Sequence, residues 1–192
     1  MSTLSIMTTA PGCSLILGGD QHVDNKSHDY TVVRLDRDKE RAWHILTLVA
    51  VEVKANQPQN GPSGPTPDDT GDLAFEHHAS GAIISVNSVC QEYRDASLDE
   101  LSKYLLLGIS TRGPVLTQDI QVDGTKGLES TVEASMSQRA PSGQNEEMPV
   151  RVRAIVLRKS GCTYDLMFIA KPAVYEQLSS TFDRFLKGFH AQ

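Results

Sequence analysis

The residues most able to do chemistry cluster at Glu76-His77-His78, with Asp72 just upstream. Imidazole and carboxylate are ordinary ligands of divalent metals, so this run raises a metal site. On an extended strand adjacent side chains point to opposite faces, so His77 and His78 cannot hold one ion from regular β geometry. Glu76 and His78 share a face and, with Asp72, form a candidate surface metal site; the competing reading is a solvated strand edge. His22, His28 and His44 are scattered. Local enzyme signatures are missing: there is no Gly-x-Ser-x-Gly elbow. Gly18-Gly19 and the glycines of residues 61–71 lack the Lys and the strand-to-helix context that cradle a phosphate. No cofactor is expected.

Two further sets of residues carry chemistry. Cys90 and Cys162 fall inside expected strands and Cys13 near the start, with no CxxC or CxxH spacing for zinc. In an oxidising compartment Cys90 and Cys162 can form a bridge; in a reducing one they are two buried thiols acting as small hydrophobes. Arg151, Arg153 and Lys159 sit at odd positions of one strand and form a basic stripe, which Arg158 can join at the turn. Glu129 and Glu133 on the adjacent strand offer cross-strand partners, and the competing role is binding an anion or a partner.

The elements that would position these residues are mostly strands. Residues 28–35 alternate as a first strand, and residues 43–54, rich in β-branched and apolar types, read as a strand or strand pair. Residues 73–78 and 82–90 form a hairpin around Ser80-Gly81, with Ile84, Val86 and Ser88 on one face of its second arm. Ser97-Leu-Asp-Glu100 is a capping box that starts a helix. Leu98, Leu101, Leu105 and Ile109 form its apolar stripe, widened by Tyr104 and Leu107, and Gly108 with Gly113-Pro114 ends the element. Residues 115–122 and 127–136 pair through Asp123-Gly124, and residues 150–159 and 162–170 through Ser160-Gly161, with a polar loop over 138–147. Pro172 opens a helix whose apolar positions, Leu178, Phe182, Phe185 and Phe189 among them, recur to the C-terminus.

This is the pattern of one α+β domain over residues 28–190: an antiparallel sheet of about six to eight strands sandwiched by helices. Residues 56–71, with four prolines and three glycines, form a loop that has almost nothing to bury. Residues 1–27 read as a tail, disordered or related to targeting. Gly12-Cys13 would end a lipoprotein cleavage site and make Cys13 a lipid anchor, but no Lys or Arg precedes it and the stretch before it is short and polar. The net charge of -6 argues against nucleic acid or an anionic bilayer as the main partner. Membrane contact would come only through such an anchor.

The run Val-Arg-Val-Arg-Ala-Ile-Val-Leu-Arg from Val150, then Gly-Cys-Thr-Tyr-Asp-Leu-Met-Phe-Ile-Ala-Lys-Pro from Gly161 and a helix closing on Phe182, Phe185 and Phe189, resembles the ending of PsbP-like domains. The wider stretch 73–189 is similar to uncharacterised bacterial envelope lipoproteins through residues 85–90, 93–98 and 161–165. The resemblance implies a PsbP-like α/β/α sandwich, an exported domain and a Cys90–Cys162 bridge, and it transfers no catalytic residues.

The expectation is a non-enzymatic binding or assembly factor of the bacterial cell envelope or periplasm. It would meet a protein partner through a sheet face, a helix face or the sheet edge. Tyr93 and Arg94, before the capping box, are the first candidate contacts, followed by Arg151 and Arg153. The alternatives are a metal-dependent or hydrolytic enzyme with a site near Glu76 and His78, and a cytoplasmic partner-binding domain.

Overall fold

A computed structural model describes residues 22–24, 30–46, 73–90, 95–139 and 145–192. Cys13, Asp72, Tyr93, Arg94, the 56–71 loop and the 47–54 part of the second expected strand region lie outside the described residues.

Alternation of apolar and polar residues builds the sheet. In chain order its strands are β3 (Trp43–Ile45), β4 (Leu73–His77), β5 (Ile83–Cys90), β6 (Ser110–Thr111), β7 (Leu116–Val122), β8 (Thr125–Arg139), β9 (Asn145–Lys159) and β10 (Cys162–Ala170). They lie in the order β3-β4-β5-β10-β9-β8-β6, with β7 also on β8, and every pairing is antiparallel. A small second sheet joins β1 (His22–Asp24), β2 (Tyr30–Val33) and β11 (His190–Ala191) in the order β1-β2-β11. Strand pairing thus begins inside the stretch read as a tail.

Two tight turns fix the register of the central strands. Asp123-Gly124 and Ser160-Gly161 each place both residues at positive φ, the conformation of the two-residue hairpin turn whose twist matches its strands. The β8–β9 hairpin is longer than the sequence pattern implies. Instead of a polar loop over 138–147, pairing continues to Arg139 opposite Asn145. A ladder needs backbone donors and acceptors, not apolar side chains, so polar arms can pair. Pro149 is tolerated because β10 ends at Ala170 opposite Arg151, and that flank of β9 no longer asks for a donor.

Each face of the sheet has its own core. On one, Ile84, Val86, Ile155, Leu157, Tyr164, Leu166 and Phe168 are buried under α2 (Pro172–Lys187), which contributes Tyr175, Leu178, Phe182, Phe185 and Leu186. The helix ends at Gly188, and Phe189 packs from the extended segment beyond it, stacked on Tyr30 at 6.0 Å and edge-on to Tyr164 at 5.3 Å. The expectation of Phe189 on the helix itself is corrected: β11 pairs with β2 and carries Phe189 into the core.

On the other face, Val132, Ala134, Val150, Val152 and Ala154 meet Leu105, Leu106 and Ile109 at the end of α1 (Leu98–Leu105). The capping box forms as expected: the Glu100 amide donates to Ser97 Oγ, and the Ser97 amide donates to the Glu100 carboxylate at 2.7 Å. The apolar stripe does not widen toward Tyr104 and Leu107, which are 61% and 71% exposed. It widens toward Ser102, whose hydroxyl meets that of Ser130 at 2.8 Å, so a small residue lets α1 approach β8 closely.

Phe182 is fully buried and stacks on Phe168 at 5.5 Å. Phe182→Ala should lower stability by about 3–5 kcal/mol in urea unfolding, the cost of a core cavity, while Leu107→Ala should stay within about 0.5 kcal/mol.

Candidate functional site

The basic stripe is held on the α2 face of β9, and its geometry answers what it does. Arg151 Nε donates to Glu133 at 2.5 Å and its Nη1 to Glu176 of α2 at 2.8 Å, while its guanidinium lies over the Tyr175 ring at 4.8 Å. Arg153 repeats the arrangement deeper: Nε to Glu129 at 2.8 Å, Nη1 to Asp183 of α2 at 2.6 Å, and the guanidinium over Phe182 at 5.2 Å. Gln118 of β7 donates to the second Glu129 oxygen at 2.7 Å. Each arginine therefore ties a neighbouring strand and a helix to β9. Burial pulls down the Arg153 pKa, and the hydrogen bonds it donates to Glu129 and Asp183 raise it above the ordinary value, so the cation is secure. Burial raises the Tyr175 phenol, which stays neutral.

The far end of the stripe is separate. Lys159 donates to Asp123 in the β7–β8 turn at 2.5 Å, and Asp123 also accepts from the Ala191 amide at 3.0 Å and pairs with His190 at 3.0 Å. Burial pushes the Asp123 carboxyl up, and these partners reverse that and hold it below the usual carboxylate range. Arg158 does not join the stripe. It points to the opposite face, where its Nη2 donates to the Ala96 carbonyl just before α1, as strand alternation requires.

The candidate metal residues come together around a residue that sequence spacing left scattered. His44 of β3 stands opposite Glu76 of β4, its Nε2 3.3 Å from the carboxylate, and its ring stacks on His78 at 4.4 Å. His77 points away, edge-on to Trp43 at 5.1 Å with Nδ1 2.9 Å from Ser80 Oγ. Among the described residues no group of three or more His, Cys, Asp or Glu side chains is placed to hold an ion. His44 could have been found only by pairing β3 with β4, and nothing local in the sequence sets that register.

Cys90 and Cys162 form a disulfide between directly opposite positions of β5 and β10. Of the two readings open from the sequence, the structure takes the bridge. Two clefts flank the sheet: one of about 410 Å³ beside Glu76, Ile83, Met136, Met148 and Lys171, and one of about 620 Å³ between Trp43, His77 and the Gln177 and Arg184 side of α2.

The charge ladder makes a prediction about its members. Glu129 and Arg153 are largely buried, with side-chain exposures of 6% and 17%. Glu129→Ala should lose about 3–5 kcal/mol in urea unfolding because the arginine keeps a buried, half-compensated charge. Glu133→Ala, at the exposed rung, should lose less than about 1 kcal/mol.

No protein-family model matches the chain, and no curated protein matches its sequence. Solved structures do. The solution structure of cyanobacterial PsbP (CyanoP) from Synechocystis sp. PCC 6803 is 13% identical, with a TM-score of 0.53 over 97% of this chain and 99% of that one. The crystal structure of PA94 from Pseudomonas aeruginosa, a protein of unknown function described as a putative regulator, is 13% identical, with a TM-score of 0.45 over 60% of this chain and 79% of that one. The antiparallel sheet, its two helical layers and its similarity to CyanoP over nearly the full length of both chains establish that this chain has a PsbP-like α+β fold.

Proposed function

We propose that this chain is a non-enzymatic binding or assembly factor that works outside the cytoplasm, in the bacterial cell envelope, and acts on a protein partner. The observation that carries the reading is the Cys90–Cys162 bridge between two central strands. Structural disulfides persist in oxidising compartments and are rare in the cytosol. The charged groups of the α2 face support the non-enzymatic part. Arg151, Arg153 and Lys159 are engaged with Glu133, Glu176, Glu129, Asp183 and Asp123, so they brace strands and helix against each other. The PsbP-like fold supports the same reading by analogy. Tyr93 and Arg94 remain the contacts proposed for a partner, and Cys13 a proposed anchor.

Mass spectrometry of the protein taken directly from its host tests the compartment. The expected result is a mass that rises by the two hydrogens of one disulfide on reduction, with Cys90 and Cys162 in one crosslinked peptide pair. Free thiols at both positions would contradict the reading and favour a cytoplasmic partner-binding domain. In the purified protein, replacing both cysteines with serine should cost about 2–5 kcal/mol of stability, because the bridge closes a long loop of the unfolded chain.

A further inference from the structure

The edge of the large sheet formed by β7 lacks the devices that usually keep sheet edges apart. β7 is seven residues long and pairs only with β8 among the described residues. Natural edges are blunted by Lys, Pro, bulges or extreme shortness. The sequence Leu-Thr-Gln-Asp-Ile-Gln-Val has no Lys, Arg or Pro, and its pairing from Leu116 opposite Thr131 to Val122 opposite Thr125 is unbroken. Its one charge, Asp119, is paired with Lys126 of its own hairpin at 2.9 Å. Among the described residues the opposite edge is β3, three residues long. Leu116 is 67% exposed, one of the largest apolar surfaces on the described chain, and it stands on this edge.

We propose that β7 is the pairing edge for a second copy of this chain, joined antiparallel across a two-fold axis at Gln118. The occupant follows from the residues. When the axis is perpendicular to the sheet, each residue meets a partner residue on the same face, so the axis must pass through one residue of β7. An axis at Asp119 sets two carboxylates directly opposite, which is destabilising. An axis at Ile120 opposes Gln118 to Val122, which is already buried in its own core, and leaves Leu116 beyond the pairing. An axis at Gln118 sets Leu116 against the partner's Ile120 on one face, twice by symmetry, and Thr117 against the partner's Asp119 on the other. It covers the exposed leucine, sets no like charges directly opposite each other and extends one continuous sheet through both copies. This pairing does not depend on compartment, so it can fail while the envelope reading stands, and the reverse.

Sedimentation equilibrium of the full chain with Cys13→Ser should show a mass that rises with concentration from monomer to dimer. Leu116→Lys, at an exposed position that leaves folding intact, puts an ammonium against the partner's Ile120 and should weaken association at least about tenfold. Under an oxidant Gln118→Cys should crosslink two chains, because the axis brings the two sulfurs together, and Asp119→Cys should not. A monomer at every concentration would overturn the proposal, as would a dimer indifferent to Leu116→Lys or one crosslinked as readily through Asp119→Cys. Should Gln118→Cys disturb its Glu129 partner, the wild-type mass and Leu116→Lys decide alone.

Discussion

The structure depends on the aromatic contact between α2 and the sheet. Phe168 of β10 stacks between Tyr175 and Phe182 of the helix at 5.0 and 5.5 Å, and Phe185 meets Phe75 of β4 edge-on at 6.2 Å. Large flat side chains bury much area for few rotatable bonds, so one helix can cover a broad strip of sheet. The same packing continues past the helix end, where Phe189 fits against Tyr30 and Tyr164 and draws β2 and β11 onto the domain. The two ends of the described chain are thereby held by one core.

The helical roof also explains the charges beneath it. Arg151 and Arg153 share a strand face with Ile155 and Leu157, so strand geometry carries them under the flank of α2 whether or not a charge is welcome there. Their flat guanidinium groups lie on Tyr175 and Phe182, and carboxylates from β8 and α2 complete the compensation. A half-buried arginine is tolerable only with such partners. The stripe therefore braces the sheet against α2, and among the described residues the sheet edge, the clefts and the outer face of α1 are further surfaces open to other molecules.

Much of this was legible in the sequence, where local rules decide. The alternation of Tyr164, Leu166 and Phe168 against Met167 and Ile169, the Ser97–Glu100 capping box and the two Xaa-Gly turns each state their conformation within a few residues. What escaped was set by distant contacts. β1 and β11 are too short to show a period, and they exist because they border β2. The long arms of β8 and β9 pair polar residues, which hydrophobic patterning does not register. Ser102 replaced Tyr104 on the buried side of α1 because the closeness of β8 favours a small side chain, and His44 met Glu76 and His78 only through the β3–β4 register. The cysteines were legible as a pair, but their oxidation depended on whether the strands carrying them were neighbours in register.

If the aromatic roof is the governing contact, α2 and the central strands must open together. Native-state hydrogen exchange measures this directly. The account predicts that amides in α2, β9 and β10 exchange with one common free energy, equal to that of global unfolding, while α1, with fewer buried groups, opens at lower cost. An α2 that exchanges well ahead of β9 and β10 would contradict it, since the sheet would then be standing without its roof.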